Sequence, residues 1–268
     1  MGTIKLVLSD VDGTLITPER TLTDRTCAAV RALRDAGIAF AITSGRPPRG
    51  MSQLVGPLGL TTPVAAFNGG MLVRPDLSPL EELTLPDAVV PPLIEAIRRH
   101  GLDAWTYRGT NWFVGDVGAP HVAKEQATVG FAPTLSADLG ASREAVVKIV
   151  GISDDLAAVA RCEADVREQF GDHVSAARSQ PYYLDVTHPN ANKGAVVKRL
   201  STLLDIPREQ IATIGDMPND VLMFALSGLC IAMGNASLEV QRAARRVTTS
   251  NADEGFANAI ERYVLPAT

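Results

Sequence analysis

Short apolar runs without a polar face recur near both ends of the chain. Ile4-Lys5-Leu6-Val7-Leu8-Ser9, Ile38–Ile42 and Val64–Phe67 read as buried strands. The third is ended by the Asn68-Gly69-Gly70 turn. Thr23 or Asp24 can cap a helix whose apolar positions Cys27, Val30, Leu33 and Ala36 share a face, and Gly37 stops it. Beyond position 190, Lys193–Leu204, Asn219–Leu226, Ser237–Ala244 and Glu254–Val264 read as helices. They alternate with strands at Ile211–Ile214, Leu229–Ala232 and Arg246–Thr249. Strands apolar on both faces, alternating with helices, predict an α/β core: a parallel sheet covered by helices on both sides.

The middle of the chain has a different rhythm. Pro86–His100 reads as a helix, with Pro86 suited to its first turn and Gly101 to its end. Asp103–Tyr107 and Asn111–Val114 form a hairpin pattern around Arg108-Gly109-Thr110. Strand Val146–Ile152, helix Asp154–Phe170, and strands Val174–Arg178 and Tyr182–Val186 follow, the last two separated by Gln180-Pro181. This α+β block carries Trp105 and Trp112, which suit hydrophobic packing better than ligand stacking.

Composition narrows the class. The chain has 268 residues, 46% of them hydrophobic and 21% charged, which excludes disorder and low complexity. A net charge of −5 gives no basic surface for nucleic acid or an anionic membrane. Cys27, Cys162 and Cys230 are too widely spaced for a disulfide framework or a zinc site, and read as small buried hydrophobes of a reducing compartment. Residues 1–10 follow a strand pattern rather than a signal peptide, and Leu6 stands where a myristoylation signal needs Ser or Thr. The most apolar stretch, Val221–Met233, is broken by Ser227-Gly228 and falls short of the roughly 20 residues of a membrane span. A soluble, cytoplasmic protein is expected. No heptad or long apolar stripe separates a monomer from a small homo-oligomer.

Four motifs carry chemistry. Asp10-Val11-Asp12-Gly13-Thr14 ends the first strand, where ligands of parallel sheets bind. Thr43-Ser44-Gly45-Arg46 ends the second, and its hydroxyl, glycine amide and guanidinium suit a phosphate. Asn192-Lys193-Gly194 opens a helix, where a lysine opposes the macrodipole unless an anion sits beside it. Gly215-Asp216-Met217-Pro218-Asn219-Asp220 runs from a strand end into a helix. Each has an ordinary structural reading alone, as a turn, a helix cap or a solvated lysine. Together, at one sheet edge, Asp10, Asp12, Asp216 and Asp220 are expected to converge. Their charges need compensation by Lys193 and a divalent cation, and all-oxygen ligation favours Mg²⁺. Arg178, Tyr183 and His188 flank the return from the α+β block, as candidates to face a leaving group or as ordinary packing.

The four motifs, in this order, resemble those of the haloacid dehalogenase superfamily, with Asp10-Val11-Asp12-Gly13-Thr14 as its signature. Asp12 and Ser44 are 32 residues apart, leaving no room for an insertion; Ser44 and Lys193 are 149 apart. The insertion therefore follows the third strand. With Thr43–Pro47 and Phe67-Asn68-Gly69-Gly70, this resembles the Cof-type phosphatases with a type IIB cap. The resemblance implies a Rossmann-like three-layer core from residues 1–82 and 189–268, with an inserted α+β cap over 83–188. It also implies an Mg²⁺-dependent phosphatase for a small phosphorylated metabolite such as a sugar phosphate. Asp10 would be the nucleophile that forms an aspartyl-phosphate, and Asp12 the general acid and base, helped by carboxylate crowding to hold its proton. Asp10, the Asp12 carbonyl and Asp216 would hold the metal, with Asn219 and Asp220 behind its waters. Ser44 and Lys193 would hold phosphoryl oxygens, and Arg46, Asn68 and Gly69 would lie at the substrate. Ser44 stands where many members have threonine; the hydroxyl is kept. A phosphotransferase or mutase shares this core chemistry, and a non-catalytic phospho-ligand sensor could reuse the fold.

Overall fold

The computed structural model describes residues 3–140 and 145–265. It divides into two compact units. One comprises the chain up to Gly45, Ser52–Ser78 and the chain from Asn192 onward; the other comprises Arg46–Met51 and Pro79–Ala191. In chain order, the first unit supplies β1 (Leu6–Asp10), α1 (Asp24–Asp35), β2 (Ala39–Thr43), α2 (Ser52–Leu58), β3 (Val64–Ala66) and β4 (Met71–Val73). The second supplies β5 (Pro79–Glu82), α3 (Val90–Arg99), β6 (Asp103–Arg108), β7 (Asn111–Val114), α4 (Val122–Val129), β8 (Thr134–Leu135), β9 (Val146–Ile152), α5 (Leu156–Phe170), β10 (Ser175–Gln180) and β11 (Tyr183–Thr187). The first resumes with α6 (Lys193–Leu203), β12 (Ile211–Gly215), α7 (Val221–Phe224), β13 (Leu229–Ala232), α8 (Leu238–Ala243), β14 (Arg246–Val247) and α9 (Gly255–Ala259).

The strands of the first unit lie in the order β14-β13-β12-β1-β2-β3-β4. All neighbours are parallel except β3 and β4. β1, β2 and β12 are buried almost throughout, as their unbroken apolar runs require. The parallel pattern expected from the sequence stops at β4. Only residues 67–70 separate β3 from β4, too few for a crossover, so the chain reverses and pairs antiparallel. Phe67, Asn68 and Gly69 make that reversal with positive φ.

α1 is capped by Thr23, whose Oγ1 accepts from the Thr26 N–H, and Gly37 follows it at φ +71°. Its buried face runs through Thr26, Ala29, Val30 and Leu33; Cys27 is half-buried and Ala36 exposed, a small rotation from the face expected. α2 is not legible in the sequence because Gly56 and Pro57 interrupt its pattern.

The second unit is a sheet in the order β10-β11-β9-β6-β7-β8, antiparallel except between β7 and β8. Leu93, Ile94 and Ile97 of α3 and Val159, Cys162 and Val166 of α5 cover one face, over Ala104, Ile149, Leu184 and Val186. Strand alternation turns Trp105, Tyr107, Trp112, Lys148, Tyr183 and Asp185 to the other face. There Trp105 packs edge-on to Trp112 at 5.3 Å and to Tyr183 at 6.0 Å between ring centroids. Both tryptophans are buried, as hydrophobic packing requires. Buried Lys148 pairs with Asp185, and the Tyr107 hydroxyl donates to Glu125 of α4 at 2.7 Å. α4 is not legible in the sequence because only Val122 and Val129 of its eight residues are buried. The three cysteines are unpaired.

Among the described residues, no helix is long and apolar enough to cross a membrane.

Candidate active site

β1 connects outward to β2 on one side, while β12 on its other side leads to β13 and β14. The strand order reverses between β1 and β12, and such a reversal opens a crevice at the carboxyl ends of the strands. Asp10 closes β1, Asp216 follows β12 and Ser44 follows β2. Registers pairing Ser9 with Ile214 and Asp10 with Thr43 bring those ends level.

Lys193 is the first residue of α6, capped by Asn192, whose Oδ1 accepts from the Ala195 N–H at 2.9 Å. Its buried ammonium donates to Asp10 Oδ1 at 2.5 Å and Asp220 Oδ1 at 2.6 Å. The anion expected beside a helix-opening lysine is thus supplied twice by the protein itself. Asp220 is fully buried, and its Oδ2 accepts from the Asp216 and Met217 N–H groups at 2.9 and 2.8 Å. Asp216 accepts from the Thr14 hydroxyl on Oδ1 at 2.9 Å. Gly13 is obligatory beneath it: φ is +81°, and a Cβ there would lie 2.3 Å from Asp216 Oδ2.

Carboxylate oxygens of Asp10, Asp216 and Asp220 come within 4.8 Å of one another. Burial, then the neighbouring carboxylates, push Asp10 well above its ordinary range, against the pull of Lys193. Burial likewise raises Asp216 to about 6, with Asp220 adding and Thr14 and Lys193 opposing. Burial alone would lower Lys193, but Asp10 and Asp220 outweigh it and hold the ammonium above its usual value. Three buried carboxylates share one ammonium, so the cluster has room in its charge for a further cation. An all-oxygen donor set fits a hard divalent ion.

Asp12 is not part of this cluster. It is exposed, and Ser44 Oγ lies 3.5 Å from its Oδ2. The carboxylate crowding expected around all four aspartates is thus confined to Asp10, Asp216 and Asp220. Ser44 itself is buried, its N–H donating to Ala65 O at 3.0 Å and its carbonyl accepting from the Asn68 N–H at 2.8 Å. Asn68 takes the left-handed conformation, and the exposed Asn219 reaches its Oδ1 at 3.4 Å. Gly69, at φ +98°, would meet Val196 Cγ2 at 2.6 Å with any Cβ, so it lets the turn approach α6.

The remaining candidates belong to the second unit. Arg46 is buried and donates to Gly50 O at 3.3 Å. Arg178 and Tyr183 do not form one set. Arg178 aligns with Leu184 on the helix-covered face and pairs with Glu163 of α5 at 2.6 Å. Tyr183 is on the opposite face, its hydroxyl 3.3 Å from Glu125 Oε1 and 3.5 Å from the Tyr107 hydroxyl. Burial, then Glu125, raises both phenols well above their ordinary values. His188 Nδ1 accepts from the Asn190 N–H at 3.1 Å, closing a local turn.

Sequence reasoning missed two residues at the carboxylates: Thr14, inside a motif already singled out, and Asn235, three residues beyond the end of β13. The strand-end rule that found Asp10 and Asp216 would have found Asn235 if applied to β13.

The parallel core, the carboxylates at its switch point and the separate α+β unit define an α/β architecture with an acidic site, and comparison identifies its class. Residues 7–260 match the haloacid dehalogenase-like hydrolase family, and the chain belongs to that family, in its Cof-type branch. A putative phosphatase of Haemophilus influenzae is 28% identical over 96% of this chain and 97% of its own length. The 5-amino-6-(5-phospho-D-ribitylamino)uracil phosphatase YitU of Bacillus subtilis is 29% identical over 96% of this chain and 97% of its own. The crystal structure of a haloacid dehalogenase-like hydrolase from Bacteroides thetaiotaomicron superposes with a TM-score of 0.89 at 29% identity, covering 97% and 99% of the two chains. The protein is accordingly an enzyme, a phosphatase of the haloacid dehalogenase type.

Proposed function

We propose that this enzyme is an Mg²⁺-dependent phosphomonoesterase for a small phosphorylated metabolite of the sugar-phosphate class, working through an aspartyl-phosphate on Asp10. The observation that carries the reading is Lys193, buried and bridging Asp10 to Asp220 beside the third carboxylate, Asp216. The relative that acts on a phosphorylated ribityl compound, similar along nearly its whole length, supports the substrate class.

Asp10, Asp216 and the backbone carbonyl of Asp12 are the groups that would hold Mg²⁺. Bound there, the ion would supply positive charge to the carboxylates and the phosphoryl group. A carboxylate oxygen of Asp10 attacks phosphorus, and the bond from phosphorus to the ester oxygen breaks. Asp12 gives its proton to the departing alcohol. It then takes a proton from water as the water oxygen attacks phosphorus, which frees inorganic phosphate and restores the Asp10 carboxylate. Lys193 and the Ser44 hydroxyl place positive charge and a donor where phosphoryl charge is held. Asp220, tied by two backbone N–H groups, positions Lys193.

A phosphate-release screen over sugar phosphates, sugar-alcohol phosphates, nucleotides, phosphoglycolate and pyridoxal phosphate tests this. Release that needs Mg²⁺ and disappears in Asp10→Asn is expected. A folded protein that binds Mg²⁺ but turns over no member of the panel would point to a phospho-ligand sensor instead.

A further inference from the structure

We propose that Asn235 is a positioning residue that holds Asp216 and the Gly13 backbone in register, and so sets the affinity of the carboxylate cluster for Mg²⁺. This rests on the reading of the cluster given above.

Asn235 lies in the loop after β13, and its carboxamide reaches three other chain segments. Nδ2 donates to the Gly13 carbonyl at 2.9 Å and lies 3.4 Å from Asp216 Oδ2. Oδ1 accepts from the Asn251 N–H at 3.0 Å. The orientation of the amide follows from its partners: Gly13 offers only an oxygen there and Asn251 only an N–H, so exchanging Oδ1 and Nδ2 would break both bonds. Asn251 continues the chain of contacts, its own Nδ2 donating to Ile16 O at 2.9 Å. Two asparagines thus stitch the loop after β1 to the loops after β13 and β14.

This has a consequence at Asp216. Thr14 Oγ1 addresses Oδ1 and Asn235 Nδ2 addresses Oδ2, so the carboxylate is held from both sides. The same Asn235 nitrogen holds the Gly13 carbonyl, one peptide beyond the Asp12 carbonyl. The space between Gly13 and Asp216 is already too small for a Cβ. A shift of the Gly13 peptide would therefore displace Asp216, and the reverse. Groups behind metal ligands typically change metal affinity by about 10–100-fold when removed. An amide suits this position better than a carboxylate, which would offer no donor to Gly13 and would place a fourth negative charge beside Asp216.

The test is calorimetric titration of Mg²⁺ into metal-free wild type and Asn235→Ala, with thermal melts of both in chelator. The expected result is an Mg²⁺ Kd about tenfold weaker in the variant, with melting temperatures within a few degrees. Asn235→Ser, whose hydroxyl is too short to span Gly13 and Asn251, serves if the alanine variant does not fold, and the same weakening is expected. An Mg²⁺ Kd within twofold of wild type in a folded variant overturns the proposal, whether or not the melting temperature falls. Wild-type protein that takes up no Mg²⁺ overturns the reading of the site, and the proposal with it.

Discussion

Lys193→Met removes the ammonium from the carboxylate cluster while keeping most of the side chain's apolar stem. Lys193 is buried, 2.5 Å from Asp10 and 2.6 Å from Asp220, with Asp216 close by. Deleting one partner of a buried ion pair costs about 3–5 kcal/mol, because the remaining charge is left uncompensated. The cost depends on how many carboxylates are ionised. Burial raises Asp10 and raises Asp216 to about 6, and loss of the ammonium pushes both higher. Near pH 5 Asp216 is largely protonated in the folded state, so the missing cation matters less. Near pH 7.5 Asp216 is ionised against the penalty of burial, and the loss of the ammonium costs more. The stabilisation by Lys193 is therefore largest where the carboxylates are ionised and fades as pH falls through their folded-state values. A tenfold change in a protonation equilibrium corresponds to about 1.4 kcal/mol, so the destabilisation should be about 1–3 kcal/mol larger at the higher pH. Urea unfolding of wild type and variant in chelator, at both pH values, measures the difference. An equal or larger cost at pH 5 would refute the reasoning, since the loss would then not follow the ionisation of the carboxylates.

Three further outcomes follow from the geometry. Between about pH 4 and pH 7 wild-type protein in chelator should lose stability relative to Asp216→Asn, by about 3 kcal/mol. Folded wild type binds the extra proton in that window, so a urea stability difference that does not change with pH would contradict the burial argument. Arg178→Ala should change stability by less than about 1 kcal/mol and leave kcat/KM within about threefold, because its guanidinium is spent on Glu163 at the surface of the helix-covered face; phosphate-release kinetics check this. Lys148→Met should destabilise by about 3–5 kcal/mol by stranding Asp185, and Lys148→Met with Asp185→Leu should recover most of that in thermal unfolding.

How much of this was legible in the sequence depends on whether the deciding contact was local. Thr23, one of the two caps that its sequence offers, caps α1, and the buried strands follow from apolar runs that permit no exposed face. The convergence of Asp10, Asp216 and Lys193 was legible because a parallel sheet collects its strand ends at one edge. Side-chain directions were not legible. Asp12 is only two residues from Asp10, yet it leaves the cluster and is exposed. Arg178 and Tyr183 are close in sequence, yet the hairpin register places them on opposite faces. α4 has no hydrophobic period to read, because its Glu125 meets the hydroxyls of Tyr107 and Tyr183 while only Val122 and Val129 are buried.

The separation of Asp10 from Asp12 bears on the proposed chemistry. A nucleophile gains from burial, since water around a carboxylate must be stripped before its oxygen can reach phosphorus. Asp10 is buried, with Lys193 in place of that water. In the proposed mechanism the group that gives a proton to the alcohol takes the next one from the attacking water, so it must be reachable by that water. Asp12 is exposed, with Ser44 Oγ 3.5 Å from its carboxylate. Two residues of one strand-end motif thus receive opposite environments. Gly13 takes φ +81° directly after Asp12, in a conformation that other residues adopt only at a cost, and Asp216 occupies the space that a side chain there would need. The glycine of the motif turns the backbone just after the exposed Asp12 and leaves the room that Asp216 occupies.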